Sequence, residues 1–383
     1  MSQKRSIFEE VGAEKADMAQ APEVGAISRG SGGGRGGRRL ARLWLMVLFA
    51  MVAAMVVVGG LTRLTDSGLS ITEWNLVKGA LPPMNAADWQ VVFAKYQTSP
   101  EYLLQNKGMD LGEFKSIYWW EWSHRQLGRL IGLVWALGFV LLWLTKRLPT
   151  GWAGRLALIG VLGGLQGAIG WWMVSSGLTG SMVDVASYRL ATHLGLAFII
   201  LGLITWFIMG LKRSEAERMQ ARRAREGRFV GFGSALMYLA FVQILLGALV
   251  AGIDAGRSFV DWPLMAGQFF PPYGFDLTPG WRNFFENAGL VQFMHRMTGY
   301  TLVLLALFAW VRARRSPNKA TRTAFAGVGI MALIQMTLGI ITIIYVAPLH
   351  ASLTHQIGAI VFWVLILNAR HQASFPVTQS VRG

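Results

Sequence analysis

Eight apolar stretches, each long enough to cross a hydrocarbon core of roughly 30 Å, constrain this chain more than any other feature. They lie at 41–61, 122–144, 155–175, 189–211, 231–252, 292–311, 323–346 and 351–369. Backbone inside lipid has no water to bond to, so such segments fold as helices whose N–H and C=O groups pair within the segment. The expected fold class is therefore all-α integral membrane, with eight transmembrane helices. Composition agrees: of 383 residues 53% are hydrophobic and only 15% charged, too apolar for a soluble domain of this length.

The formal net charge of +16 could point to nucleic acid, but Lys and Arg fall in gaps between the apolar runs and form no single patch. That placement reads as membrane topology, with no nucleic-acid partner. Basic residues crowd the N-terminal arm, Lys146 and Arg147, 212–228, 312–322 and the tail, and are sparse at 62–121, 176–188, 253–291 and 347–350. By the positive-inside rule both termini face inside and the sparse loops face outward. In a bacterium this describes a multi-pass protein of the inner (cytoplasmic) membrane. Residues 1–40, with a Gly/Arg-rich run at 30–39, read as a disordered arm, 212–230 as a basic linker and 371–383 as a tail. The first apolar run lacks a small-residue cleavage site, so no cleavable signal is expected. The two longest outer loops, rich in Trp and Pro, are expected to lie folded on the membrane surface. The absence of cysteine excludes disulfides, thiolate metal sites and cysteine nucleophiles, leaving His and carboxylate for any metal centre.

The chain is internally duplicated. After the first span it reads Asp66 to Trp74, then Gly79 and Pro82-Pro83; after the fifth, Asp254 to Trp262, then Gly267 and Pro271-Pro272. The second span opens His124-Arg-Gln-Leu-Gly128 and the sixth His295-Arg-Met-Thr-Gly299, while Thr192-His193 and Thr354-His355 recur in the fourth and eighth. An even number of spans separates the copies, so both run in the same orientation. Two tandem four-helix bundles, 41–211 and 231–370, are expected around a pseudo-twofold axis along the membrane normal.

Helices two, four, six and eight all run from outside to inside, with His124, His193, His295 and His355 expected in the first turn or two of each, at one depth. A lone histidine in a span is most often hydrogen-bonded to a neighbouring helix. Four at equivalent places in a duplicated fold make a constellation. Zinc wants three or four donors together, and a di-iron site needs several glutamates that these spans lack. Two imidazoles on facing helices suit the two axial positions of a haem iron, which gives the candidate pairs His124 with His193 and His295 with His355. Gly128 and Gly299, four residues beyond a ligand, leave room for a flat ring or for close helix packing. Arg125 and Arg296 fit haem propionates or lipid headgroups equally well. Gln166 and Gln335, each four residues before a glycine, read as interhelical hydrogen-bonding groups. His350 and His371 have no counterparts and are expected to be solvated.

The copies differ at one telling place: Glu121, three residues before His124, becomes Gln292 before His295. A carboxylate at that spacing shares the ligand's helix face, where it could act as a base, stabilise positive charge, or pair with Arg125. The asymmetry suggests one site for chemistry and one for structure or electron transfer.

The run from Glu113 to Arg125, the segment Gly59 to Gly68 with Trp74 and Pro82-Pro83, and the two Thr-His pairs resemble the haem A synthase family, in its cysteine-free mitochondrial and alphaproteobacterial branch, over roughly residues 40–370. What the resemblance implies is oxidation of the C8 methyl of haem O to a formyl group, giving haem A for terminal oxidases, with oxygen from water. Position by position, it implies His124 and His193 at the substrate haem with Glu121 as the reactive glutamate, and His295 and His355 as ligands of a resident haem b. The sites would lie near the periplasmic face. Partners implied are an electron acceptor, the haem O synthase (protohaem farnesyltransferase) that supplies the substrate, the bilayer and a further copy of the chain as a homo-oligomer. The competing reading is a dihaem b-type membrane electron carrier or quinone oxidoreductase.

Overall fold

The computed structural model describes residues 34–180 and 182–376. Eight of its helices are long and apolar enough to cross a membrane: α1 Arg35–Leu64, α2 Leu111–Leu144, α3 Ala153–Gly177, α4 Ser187–Gly210, α5 Gly227–Gly252, α6 Ala288–Ala313, α7 Lys319–Ile344 and α8 Leu349–Ser374. The chain is an all-α, multi-pass membrane protein.

Each expected span has its helix, and the largest departure is at α2, which begins at Leu111 and not near 122. Its 34 residues reach roughly 51 Å at 1.5 Å per residue, so its first turns project beyond a hydrocarbon layer. A capping box starts it: Asp110 Oδ1 accepts from the Glu113 N–H at 2.8 Å and Glu113 Oε2 from the Asp110 N–H at 3.0 Å. Glu113, Lys115 and Glu121 interrupt the apolar pattern there and hid this extension from a hydropathy reading. Phe114 and Tyr118 on the projecting turns pack with Trp89, Phe93 and Tyr96 of the loop helix Ala86–Tyr96. With the short helix Pro100–Leu104, these make the loop between α1 and α2 a folded cap. His124 consequently lies almost four turns into its helix, deeper than the expected first turn or two, whereas His193, His295 and His355 lie about two turns in.

Other boundaries also differ. Residues 35–40, expected to be disordered, belong to α1, and the rest of that arm up to 33 falls outside the described residues. The stretch read as a linker contains the helix Glu215–Arg223, capped by Ser214, and α5 already begins at Gly227. Helix α8 continues to Ser374 and takes in His371, which is buried and not solvated: Trp206 and Phe375 cover its ring at 5.2 and 5.0 Å between centroids. His350 is exposed, as expected. Residues 377–383 of the tail lie outside the described residues.

Helices α1 to α4 close a ring in which each packs on the next and α4 packs on α1, and α5 to α8 repeat the ring. Between the sets, α4 packs on α5 and α8, and α8 on α1. Helix α4 is the central element, with 56% of its span buried against 6% for α2 and α3. The polar ties across the seam are few and specific. Trp363 Nε1 donates to the Phe198 carbonyl at 3.1 Å, and Gln356 Nε2 to the Val56 carbonyl at 2.7 Å. Where α1 ends, the Arg63 guanidinium meets Asp66 at 2.9 Å, Asp184 at 3.5 Å and Asp254 at 2.8 Å. Asp66 and Asp254, equivalent in the duplication, both adopt left-handed backbone, with φ of 46° and 51°.

Small residues let the central helices close, as they do where apolar attraction gives no preference for protein over lipid. A Cβ built on Gly252 of α5 would lie 3.0 Å from both Cα and Cβ of Ser187 on α4. Gly252→Val is expected to cost about 1–3 kcal/mol by overpacking and to lower the thermal unfolding midpoint in detergent. Gly231→Ala on the same helix, with open space around its Cβ, should leave the midpoint unchanged or raised.

Candidate functional site

A cavity of about 1100 Å³ runs through both helix rings and is lined by His124, His193, His295, His355 and Glu121. That volume lies at the upper end of small-molecule sites. The imidazoles of His124 and His193 lie close enough to interact electrostatically, as do those of His295 and His355. Each ring also rests on a glycine of the helix preceding its own. A Cβ would lie 3.2 Å from the His124 ring at Gly59, 2.9 Å from His193 at Gly170, 3.2 Å from His295 at Gly247 and 3.2 Å from His355 at Gly339. The rings thus occupy the volume a side chain would take, and their tilt toward the cavity is set by helix-to-helix contact.

Glutamines contact three of these histidines. Gln166 Nε2 donates to the His193 carbonyl at 3.0 Å, and its counterpart Gln335 to the His355 carbonyl at 3.1 Å. Gln166 Nε2 also lies 3.2 Å from His193 Nδ1. Gln243 Nε2, on α5, lies 3.1 Å from His295 Nδ1. In each of these three amides Oε1 is buried without a partner. The two threonines before His193 and His355 bond only their own helices, Thr192 Oγ1 to Tyr188 O at 2.8 Å and Thr354 Oγ1 to His350 O at 2.7 Å. Among the described residues no three His, Asp or Glu converge as a bare-metal site, so the donors stay in pairs.

Glu121 is 2% exposed and fully engaged. Its Oε2 accepts from Ser70 Oγ and the Ile71 N–H, both at 2.7 Å, and its Oε1 from Arg125 Nε at 3.0 Å and Nη2 at 2.6 Å. Arg125 in turn donates to the carbonyls of Ile71 and Glu73 at 2.8 Å, and Arg129 to those of Asn75 and Leu76 at 3.0 and 2.9 Å. One face of α2 therefore binds the irregular stretch 70–76 over the cavity, through groups spaced one turn apart. The second ring repeats the device with reversed polarity. Gln292 Nε2 donates to the carbonyls of Ala255 and Phe259 at 3.0 and 3.1 Å, and Arg296 to those of Phe259 and Leu264, both at 2.9 Å. The carboxylate faces donors and the amide faces acceptors, so the Glu/Gln difference matches the loop each one holds. Arg125 and Arg296, read from sequence as propionate or headgroup partners, bond loop carbonyls, though both also line the cavity.

Two further differences bear on what each half can hold. On α3, Gly163, Gly164 and Gly167 line the cavity with open space where a Cβ would be, and their equivalents on α7 are Ala332, Leu333 and Met336. Met55 on α1 stands where α5 has Gln243, and each reaches the glycine after a histidine: Met55 Cε lies 3.5 Å from a Cβ at Gly128, and Gln243 Nε2 lies 3.2 Å from one at Gly299. The sequence reading missed Gln243 and the Arg63 hub, although laying α1 on α5 by the Asp66 to Asp254 offset exposes the first directly.

The chain matches the family model for cytochrome oxidase assembly protein (COX15-CtaA) over residues 42–367. It is 60% identical over 383 residues to a protein of Dinoroseobacter shibae named heme A synthase, covering 100% of this chain and 99% of that one. Proteins of the same name from Paracoccus denitrificans and Ruegeria pomeroyi are each 58% identical, the first covering 99% of both chains and the second 100% of both. On a family model spanning the whole membrane region and full-length identity at this level, the chain belongs to the COX15-CtaA family of cytochrome oxidase assembly proteins.

Proposed function

We propose that this chain is a haem A synthase, an oxidoreductase that converts the C8 methyl of haem O to the formyl group of haem A. The observation that carries the reading is the full-length identity to proteins of that name, joined to a cavity holding two glycine-backed histidine pairs. The relatives are named for synthesis, and no observation favours the dihaem electron carrier. In this reading His124 and His193 hold haem O, and His295 and His355 hold a resident haem b near the periplasmic face of a bacterial inner membrane, with both termini inside. The repeated ring of helix contacts supports two pseudo-twofold bundles, 41–211 and 231–370. The basic loops support the orientation.

The residues present fit such groups. Paired imidazoles, glycines where side chains would block the ring faces, and amide oxygens buried without partners around the histidines suit a flat, largely apolar macrocycle with a few polar edges. The glycines at 163, 164 and 167 leave room in the first half for the farnesyl chain that distinguishes haem O from haem b, while Ala332 and Met336 narrow the second.

A resident haem supplies one-electron redox chemistry; the chain's own residues orient the substrate and manage charge and water. Glu121, with both oxygens already accepting two hydrogen bonds, acts as a fixed negative charge beside the substrate and as the tie that keeps loop 70–76 over it, excluding bulk water. Arg125 neutralises part of that charge and holds the same loop. Of the two roles open to Glu121 from sequence, base or charge stabiliser, its bonding favours the second.

Three outcomes test this. His295→Ala should lose resident haem absorbance from the purified protein, whereas His124→Ala should keep it and lose bound haem O; if neither change alters bound haem, the ligand assignment fails. Glu121→Gln should cut conversion of haem O by at least about tenfold and, because an amide NH₂ would oppose the Ile71 N–H, speed hydrogen exchange at Ile71. Full conversion by that variant sinks the role. Gly167→Met, which imports the second-half residue, should reduce haem O bound at the first site, read by extracted pigment, without removing haem b.

A further inference from the structure

The first outer loop contains a second buried carboxylate that none of the roles above uses. Glu101 sits in the short helix Pro100–Leu104, is 2% exposed, lines the cavity, and has one oxygen, Oε2, without a hydrogen-bond partner. Burying an unpaired charge is expensive, so the residue is either neutral there or changes state as it works.

The groups facing it are phenolic and acidic. Tyr96, from the helix Ala86–Tyr96, lies beside the carboxyl, and its hydroxyl accepts from Asn106 Nδ2 at 2.8 Å, leaving its own O–H free to point at Glu101. Glu121 of α2, Asp184 ahead of α4 and Asp66 after α1 surround it electrostatically. Arg63, which pairs with two of those aspartates, is shared among Asp66, Asp184 and Asp254. Burial first, then this negative company, pushes the Glu101 carboxyl up to about 8. Such a group exchanges protons near neutrality. Glu121 cannot serve in its place, because both its oxygens are filled by Ser70, Ile71 and Arg125. The second half has no equivalent: between α5 and α6 lie only two three-residue turns and the short helix Asn283–Glu286.

We propose that Glu101 is the proton acceptor of the first-half cavity, taking protons released as the substrate carbon is oxidised and passing them to the outer face. The proposal rests on the synthase reading. Methyl plus water gives hydroxymethyl, two protons and two electrons; hydroxymethyl gives formyl, two protons and two electrons. In each stage the two electrons go to an external electron acceptor of the membrane, a quinone or a one-electron redox protein, which the synthase reading already requires. One C–H bond of the substrate carbon and one O–H bond, of the attacking water or of the hydroxymethyl group, break each time. The C–H electron pair leaves to that acceptor, and the two protons are taken up in turn by Glu101, which releases each to outer water before accepting the next.

The test compares full-length wild type and Glu101→Gln, purified with haem bound so that the absorption spectrum certifies folding. Wild-type turnover of haem O should rise with pH and reach half its plateau near 8, since only the ionised carboxylate accepts a proton. Glu101→Gln should be about 10²-fold slower and lack that limb. A second readout needs no turnover. A carboxyl held at about 8 in the fold against 4.5 ordinarily favours the folded state at acid pH, and that advantage is lost as pH rises from 4.5 through 8. The unfolding midpoint of Glu101→Gln relative to wild type should therefore rise across that window and level off above it. Should Glu101→Gln fail to fold, Glu101→Asp must retain a pH limb at reduced rate. Equal pH profiles in active wild type and variant, or a midpoint difference indifferent to pH, would overturn the proposal while leaving the synthase reading intact. A wild type that makes no formyl haem at any pH overturns both.

Discussion

A bilayer offers a peptide N–H or C=O nothing to bond except its own chain, and most of this architecture follows from that constraint. Regular backbone fills the apolar layer as eight helices, and irregular backbone is confined to the loops. A loop that roofs a buried cavity cannot lean on water alone. It must be tied down by side chains from helices that project past the membrane. Helix α2 does this with Glu121, Arg125 and Arg129, and α6 with Gln292 and Arg296. The added turns of α2, which hydropathy alone did not show, carry Phe114 and Tyr118 and fold the aromatic cluster of the loop onto the helix.

The same constraint shapes the histidines. A polar ring in a span must face protein, and a ring that faces protein across a helix seam needs space. Gly59, Gly170, Gly247 and Gly339 provide it, one on the helix before each histidine. The recurrence of this contact in all four helix pairs ties the duplication seen in the loops to the duplication of the site. It also explains why the ring positions depend on helix packing more than on any local hydrogen bond. A small shift of α3 against α4 would move His193 directly.

Much of this was legible because periodicity and repetition are properties of the chain itself. The eight spans, the paired histidines, the Glu121 to Gln292 change and the family resemblance all come from reading along the sequence. What escaped depends on contacts between distant segments. Glu101 lies in a polar run, Ser99 to Lys107, whose composition says loop; its burial arises only because the aromatic cluster of Trp89, Phe93, Tyr96, Phe114 and Tyr118 folds that loop onto α2. His371 follows Arg370 beyond the apolar run, which reads as solvent, yet α8 continues and Trp206 and Phe375 close over the ring. Arg63 looked like a boundary cation, and only the fold brings three aspartates from separate segments to it.

The differences between the halves carry more information than their likeness. A duplicated pair of sites with equal tasks would be expected to drift at random, with gains and losses of bulk scattered over both copies. Here the changes point one way. The first half has glycine at 163, 164 and 167 where the second has Ala332, Leu333 and Met336, a larger cap over its cavity, and two buried carboxylates, Glu121 and Glu101. The second half has the amide of Gln243 on its histidine where the first has the thioether of Met55, tighter packing along α7, and a neutral Gln292. Space and negative charge accumulate on one side, close packing and neutral polar contacts on the other. A site that admits and releases a bulky substrate while bonds to hydrogen are broken needs the former; a site that keeps one cofactor in place needs the latter.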